Sequence, residues 1–151
     1  MLLTGTFQRS LDEKQRVAIP KRIRTLLESE PSASLYLAPG VHGSMALYTE
    51  AAFEKLADRL AAASPTGGEV LAFSRLFFAN AQAVEMDAQG RVRIPLDLAK
   101  LAKLEQEIVL VGVRDHLEIW DISRWQAYCE ERQPHYDEIA EQAFAPVPKS
   151  S

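Results

Sequence analysis

The string DEKQRVAIP at residues 12–20 returns as DAQGRVRIP at residues 87–95. Asp, Arg, Val, Ile and Pro keep their order and spacing across a shift of 75 residues. A repeat of this kind constrains the fold more than any compositional figure, because one core must accommodate two copies of one supersecondary unit. The chain has 151 residues, which suits one compact domain or two small halves sharing a core. A unit of about 45 residues rarely buries enough apolar surface to fold alone, and two such units solve the problem by pairing their strands. The expectation is therefore an α+β fold with a pseudo-twofold β-core and helices around it.

The elements around each copy follow one order. In RVAIP, Val17 and Ile19 alternate with Arg16 and Ala18, as in a half-buried strand. Pro20 ends the strand and opens a short helix carrying Ile23, Leu26 and Leu27. SLYLAPG and SMALYT read as two strands joined by the bend PGVHG. In the second copy RVRIP is the strand, and Pro95 opens a helix with Leu98 and Leu101. EIVLVG and LEIWD then flank the tight turn VRDH. Each copy is thus predicted as strand, short helix, strand, turn, strand.

Helices are expected after both units. EAAFEKLADRL spaces Phe53, Leu56, Ala57 and Leu60 helically, SPTGG breaks it, and EVLAFSRLFFANA reads as a second helix. Asp121 can cap a third, with Ile122, Trp125 and Cys129 on one face, until Pro134 interrupts or ends it. APVPKSS reads as a disordered tail. The resulting division is 1–62, first module with its helix; 63–82, linking helix; 83–133, second module with its helix; and 134–151, tail. The helical faces exceed what a small core requires, and part of that surface is expected to contact other subunits.

Several functions lose support. No apolar run approaches the roughly 20 residues that span a bilayer. The opening MLLTGTFQRS lacks a basic n-region and a long apolar h-region, so no secretory signal is expected. Cys129 is the only cysteine, which precludes an intrachain disulfide and fits a reducing compartment. His42, His116 and His135 lack metal-ligand spacing, and neither GxxxxGK[ST] nor GxGxxG occurs. No cofactor or metal is expected. Trp120 and Trp125 read as packing residues, His42 as a solvated turn residue and Cys129 as a buried small apolar group.

Net charge is −4, mildly against non-specific nucleic-acid binding. The average hides a pattern. Between Arg9 and Arg24, six cations (Arg9, Lys14, Arg16, Lys21, Arg22, Arg24) face only Asp12 and Glu13. From Asp115 to Glu141 eight acidic residues are opposed by Arg124 and Arg132 alone. One end can face a polyanion while the other repels it.

LDEKQRVAIP and MDAQGRVRIP, with the intervening SRLFFANA helix and the VLVGVRDHLEIWD hairpin, resemble the paired Asp-x-x-x-Arg motifs of the MraZ family of bacterial transcription regulators. The resemblance runs from about Gly5 to about Glu131. Each half is similar to an AbrB-type swapped-hairpin module. The resemblance implies a β-barrel shared by the two halves, a homo-oligomeric ring, and binding to repeated DNA boxes in a promoter of the division and cell-wall gene cluster. It implies a cytoplasmic, nucleoid-associated protein with double-stranded DNA as partner. Two departures stand out. Gln15 occupies the place of Gly90, and Lys21, Arg22 and Arg24 become Leu96, Asp97 and Ala99 in the second copy.

Residues four apart in an extended strand lie roughly 13 Å from each other, so Asp12–Arg16 and Asp87–Arg91 can pair only if the chain turns between them. DAQG is good turn chemistry; in DEKQ the glutamine is the more strained choice if that position needs positive φ. The functional reading gives Arg16 and Arg91 to DNA, by bidentate bonds to a guanine edge or to phosphate. Lys14, Lys21 and Arg22 add phosphate contacts, while Asp12 and Asp87 orient the arginines. The bland reading has Asp and Arg merely lock the fold, perhaps across the two halves, and both roles can hold together. Three alternatives remain: an AbrB-type antitoxin-like module that binds a protein partner, an enzyme using Asp12, Lys14 and Arg16 on a small anionic substrate, and a purely structural ring.

Overall fold

The computed structural model describes residues 1–63 and 67–146. β1 (Thr6–Ser10) and β2 (Arg16–Ala18) open the chain, followed by α1 (Lys21–Glu28), the hairpin β3 (Leu35–Pro39) and β4 (Met45–Thr49), and α2 (Glu50–Ala62). After α3 (Gly68–Asn80) the order recurs: β5 (Gln82–Val84), β6 (Arg91–Arg93), α4 (Leu96–Leu101), the hairpin β7 (Glu107–Val113) and β8 (His116–Asp121), and α5 (Ile122–Arg132). A 3-10 turn (Gln133–His135) leads into α6 (Tyr136–Ala143). Pro134 thus interrupts helical structure without ending it. The expected breaker SPTGG and tail APVPKSS lie largely outside the described residues.

Two strands, β1 and β5, precede the repeated strand in each half and are absent from the expected order. β1 reads TFQRS, with a single apolar residue, and β5 has only three residues, so neither shows useful alternation. Both matter for the sheet, whose order is β1-β7-β8-β4-β3-β5. All pairs in it are antiparallel. β1 of the first half adds to the hairpin of the second, and β5 of the second adds to the hairpin of the first. The seam between halves is β4 against β8. β2 and β6 form a separate two-stranded antiparallel ribbon. The expected single β-barrel is therefore an open sheet plus a ribbon. The physical reason is the tight turn that follows β1 and β5, which sends the chain out of the sheet.

The core lies between sheet and ribbon. Leu37, Leu47, Leu110, Leu117 and Ile119 of the sheet meet Val17, Ile19, Val92 and Ile94 of the ribbon segments, with Ile23 and Leu27 of α1 and Leu98 of α4 closing the sides. The other face of the sheet is covered by helices, α5 packing Trp125 and Tyr128 on Trp120, Val109 and Val111. Trp120 is thus a packing residue as expected, and its Nε1 donates to Glu118 at 2.9 Å. On the same face Phe53 of α2 stacks on Tyr36 at 4.6 Å between centroids. Thr49 and Asp121 occupy corresponding N-caps. Thr49 Oγ1 accepts from the Ala52 N–H at 3.2 Å, and Asp121 Oδ2 from the Ser123 N–H at 3.1 Å. Cys129 on α5 is half-buried rather than buried. His42 is an exposed turn residue with φ 60°.

Two features bear on assembly and stability. α3 buries Phe77 yet leaves Leu71, Phe73, Leu76 and Phe78 exposed. In β7, Gly112 lies under the strand-like segment 3–5, its N–H donating to the Gly5 carbonyl at 2.9 Å. A Cβ at residue 112 would press on the Thr4 nitrogen and stand 2.7 Å from the Leu3 carbonyl carbon, both backbone atoms that cannot move aside cheaply. Gly112→Ala is expected to lower stability by about 1–3 kcal/mol, the usual cost of overpacking. A fall in the urea midpoint with an unchanged slope is the check, and an unchanged midpoint would show that residues 3–5 yield freely.

Candidate nucleic-acid interface

Both Asp-x-x-x-Arg segments fold into one and the same turn. Asp12 Oδ1 accepts the backbone N–H of Lys14 at 2.9 Å and of Arg16 at 2.8 Å, while Oδ2 accepts Arg16 Nε at 2.8 Å. The turn closes through Asp12 N–H to the Arg16 carbonyl and Gln15 N–H to the Asp12 carbonyl, both 3.0 Å. In the second copy Asp87 Oδ1 accepts from Gln89 and Arg91 at 2.9 Å, and Oδ2 from Arg91 Nε at 2.8 Å. The Asp–Arg pairs therefore form within each motif, not across the halves. The backbone N–H of the arginine, foremost, holds each carboxyl below the ordinary aspartate range; desolvation pushes the other way, and the guanidinium and a second backbone N–H add to the lowering.

The residue before each arginine is left-handed. Gln15 has φ 61° and Gly90 φ 78°. Glycine accepts this conformation freely, whereas glutamine does so under strain. Gly90 meets a second demand, because a Cβ there would stand 2.7 Å from Arg24 Cδ.

From the turns the chain enters the ribbon, where Arg16 pairs with Arg93, Val17 with Val92 and Ala18 with Arg91. Val17 and Val92 are fully buried, so strand alternation turns Arg16, Ala18, Arg91 and Arg93 outward. The turns lie at opposite ends of the ribbon, joined to it by Ile19 N–H to the Gly90 carbonyl at 2.9 Å and Ile94 N–H to the Gln15 carbonyl at 2.8 Å. Arg16 and Arg91 are diagonal neighbours on one face, their backbone positions about 7–8 Å apart across the ribbon. Each arginine uses Nε for its aspartate. Among the described residues no acceptor engages the two terminal nitrogens of either.

The other candidates are distributed differently from their order in the sequence. α1 lies against the second turn, not the first: Arg24 Nη2 donates to the Ala88 carbonyl at 3.2 Å, and its Nε to Glu28 at 2.9 Å. One cation of the first motif's flank, Arg24, is thus carried to the second turn. Lys21 is exposed at the start of α1. Arg22 is occupied elsewhere, donating to the Thr4 carbonyl at 2.9 Å. Lys14 is exposed in the first turn and lines an open groove with Glu13, Glu85, Arg93 and Asp97. On the other side of that turn Lys100 and Lys103 flank Gln15. Sequence reasoning missed Arg24 and Arg93 as neighbours of the motifs. For Arg93 the signal was present, since it has the outward phase of the strand; for Arg24 the contact spans 64 residues and leaves no local trace.

Gln15→Gly is expected to raise stability by about 1 kcal/mol by removing left-handed strain, and Gly90→Gln to lower it by more, because Arg24 must also be displaced. Paired urea melts read both changes. Equal and opposite shifts would mean that Arg24 gives way at no cost.

Residues 2–75 and 77–145 match the family model described as "MraZ protein, putative antitoxin-like". The chain is 33% identical over 140 residues to the transcriptional regulator MraZ of Mycoplasmoides gallisepticum, covering 93% of this chain and 96% of that protein. To the protein of the same name from Mesoplasma florum it is 34% identical over 144 residues, 95% and 97% of the two chains. To that of Pelotomaculum thermopropionicum it is 37% identical over 140 residues, 93% and 94%. With family matches on both halves and relatives aligned along nearly its whole length, the chain belongs to the MraZ family.

Proposed function

We propose that this protein is a sequence-specific DNA-binding transcriptional regulator of the division and cell-wall gene cluster, which engages repeated promoter boxes through its two Asp-x-x-x-Arg turns. The observation that carries this reading is the pair of outward guanidiniums, Arg16 and Arg91. Each is clamped by Nε to its own aspartate with both terminal nitrogens left over. A preorientated guanidinium of this kind forks onto guanine O6 and N7 or onto phosphate, and a two-stranded ribbon is one of the shapes the major groove admits. Lys14 and Lys21 add phosphate contacts at either end of the ribbon. Arg22, tethered to Thr4 through Nη2, joins them through its remaining nitrogens. Asp12 and Asp87 position the arginines, and Gly90 lets the second turn close.

The halves are read as two fused AbrB-type modules that have exchanged their first strands. The relatives named transcriptional regulators support the regulatory role. One protomer with two reading arginines binds weakly, and assembly into a homo-oligomeric ring lets several ribbons engage successive boxes at high effective concentration. The exposed apolar side chains of α3, with Leu101 nearby, supply a surface suited to self-association. Such a regulator works in the cytoplasm on the nucleoid, and among the described residues no helix is long and apolar enough to cross a membrane. Catalysis by Asp12 is disfavoured by the three donors already on its carboxylate.

A titration against a duplex carrying the repeats upstream of the protein's own gene, with a shuffled duplex as control and several salt concentrations, tests the reading. Specific binding is expected to exceed the control by orders of magnitude and to weaken with salt. Equal weak binding to both duplexes would overturn it. Arg16→Ala and Arg91→Ala are each expected to cost about 1–3 kcal/mol of binding with the fold retained by circular dichroism. Unaltered affinity would return both arginines to a fold-locking role. Deletion after Gln133 removes α6, which contributes no buried residue, and is expected to leave oligomer size and affinity unchanged by light scattering and titration.

A further inference from the structure

Four residues point outward from the ribbon: Arg16, Ala18, Arg91 and Arg93. Two of the arginines bring their own carboxylate. Arg93 does not. It is exposed, and among the described residues no hydrogen bond or ion pair engages its guanidinium. The register sets it directly opposite Arg16. Like charges facing each other across an antiparallel pair are destabilising, so fold stability does not account for a cation at this position. The fold itself has no need of one, since Ala18 fills the corresponding place in the first motif. Glu13, Glu85 and Asp97 share a groove with Arg93 and Lys14, yet none lies within ion-pair distance of Arg93.

Resting on the DNA-binding reading above, we propose that Arg93 is a third DNA-contacting arginine, acting beside Arg16, so that each protomer presents a two-arginine end and a one-arginine end to the duplex. The two guanidiniums rise from backbone positions about 4.5–5.5 Å apart. In the free protein they repel. Against phosphates the repulsion is relieved on binding, so the pair contributes more than an isolated surface cation. At the opposite end Arg91 faces Ala18, and the turn before it is held by α1 through Arg24. The two turns therefore read the duplex with different chemistry although their geometry is the same. A protomer built this way is polar along the DNA, which suits boxes repeated head to tail.

The test titrates the native chain, Arg93→Ala, Arg93→Lys, Ala18→Arg and Arg16→Ala against the upstream-repeat duplex and the shuffled control, at several salt concentrations. Arg93→Ala is expected to lower affinity about tenfold and to reduce the salt slope by about one. Arg93→Lys is expected to restore the slope, and Ala18→Arg to tighten binding by adding the missing fourth cation. Melting of Arg93→Ala is expected to match or exceed the native chain, because a repulsion has been removed. If Arg93→Ala binds as tightly as the native chain with the same slope while Arg16→Ala loses affinity, the proposal is overturned and the DNA-binding reading stands. A lowered melting temperature with intact affinity would assign Arg93 to balancing Glu13, Glu85 and Asp97, and would likewise overturn it. A native chain that prefers neither duplex overturns the reading on which the proposal rests.

Discussion

In each half of the chain one carboxylate gathers two backbone N–H groups and a guanidinium, and the path of the polypeptide follows from that. The aspartate bends four residues tightly enough to turn the chain out of the main sheet. The strand that emerges finds its partner in its counterpart from the other half. Because the same carboxylate holds the arginine by Nε, the side chain is fixed in direction at the moment the backbone is. Shape and presentation of the arginine are thus one interaction. An asparagine could offer Oδ1 to the backbone donors, but it would bring no charge to hold the guanidinium.

Much of this arrangement is legible in the residues alone. The alternation of RVAIP and RVRIP placed both ribbon strands, Pro20 and Pro95 marked the helices after them, and Asp121 declared itself as a cap. The turn followed from arithmetic on strand rise, since Asp and Arg four apart cannot meet on an extended chain. What escaped was carried by partners distant in sequence. β1 and β5 are too short and too polar to show a period, and they are strands only because an open edge of the other half receives them. The barrel gave way to an open sheet because the tight turn after each of these strands sends the chain out into the separate ribbon. Arg24 is unremarkable in an α1 sequence and acquires a role only beside Ala88. Arg93 could have been noticed from its phase in the strand, but a single outward arginine on a three-residue strand means little until its cross-strand neighbour is known to be Arg16.

Charge shows how exchange between the halves reshapes a linear reading. Along the sequence the cations cluster around the first motif, and the DAQGR motif has few of its own. In space α1 leaves the ribbon at the end where the Asp87–Arg91 turn sits, and its Arg24 bonds to that turn at Ala88. The Asp12–Arg16 turn has Lys14 and Arg93 beside it, with Lys100 and Lys103 beyond. The net charge of −4 owes much to the eight acidic residues between Asp115 and Glu141, while at the ribbon itself cations and carboxylates stand side by side.

The exchange of first strands also governs the order in which the molecule can be completed. Ser10 of β1 pairs with Glu107, and Leu35 of β3 with Val84. As the chain leaves the ribosome, β1 has nothing to join until the last hairpin appears, an interval of roughly 5–20 s at ordinary elongation rates. For the first part of that time, until β5 emerges to join β3, the first hairpin exists with both edges open, and Val17 still lacks its partner Val92. Pairings of such long sequence separation close slowly, and open edges invite neighbouring nascent chains. The polar character of β1 acquires a further meaning here: the strand that must wait is one with little tendency to aggregate while waiting.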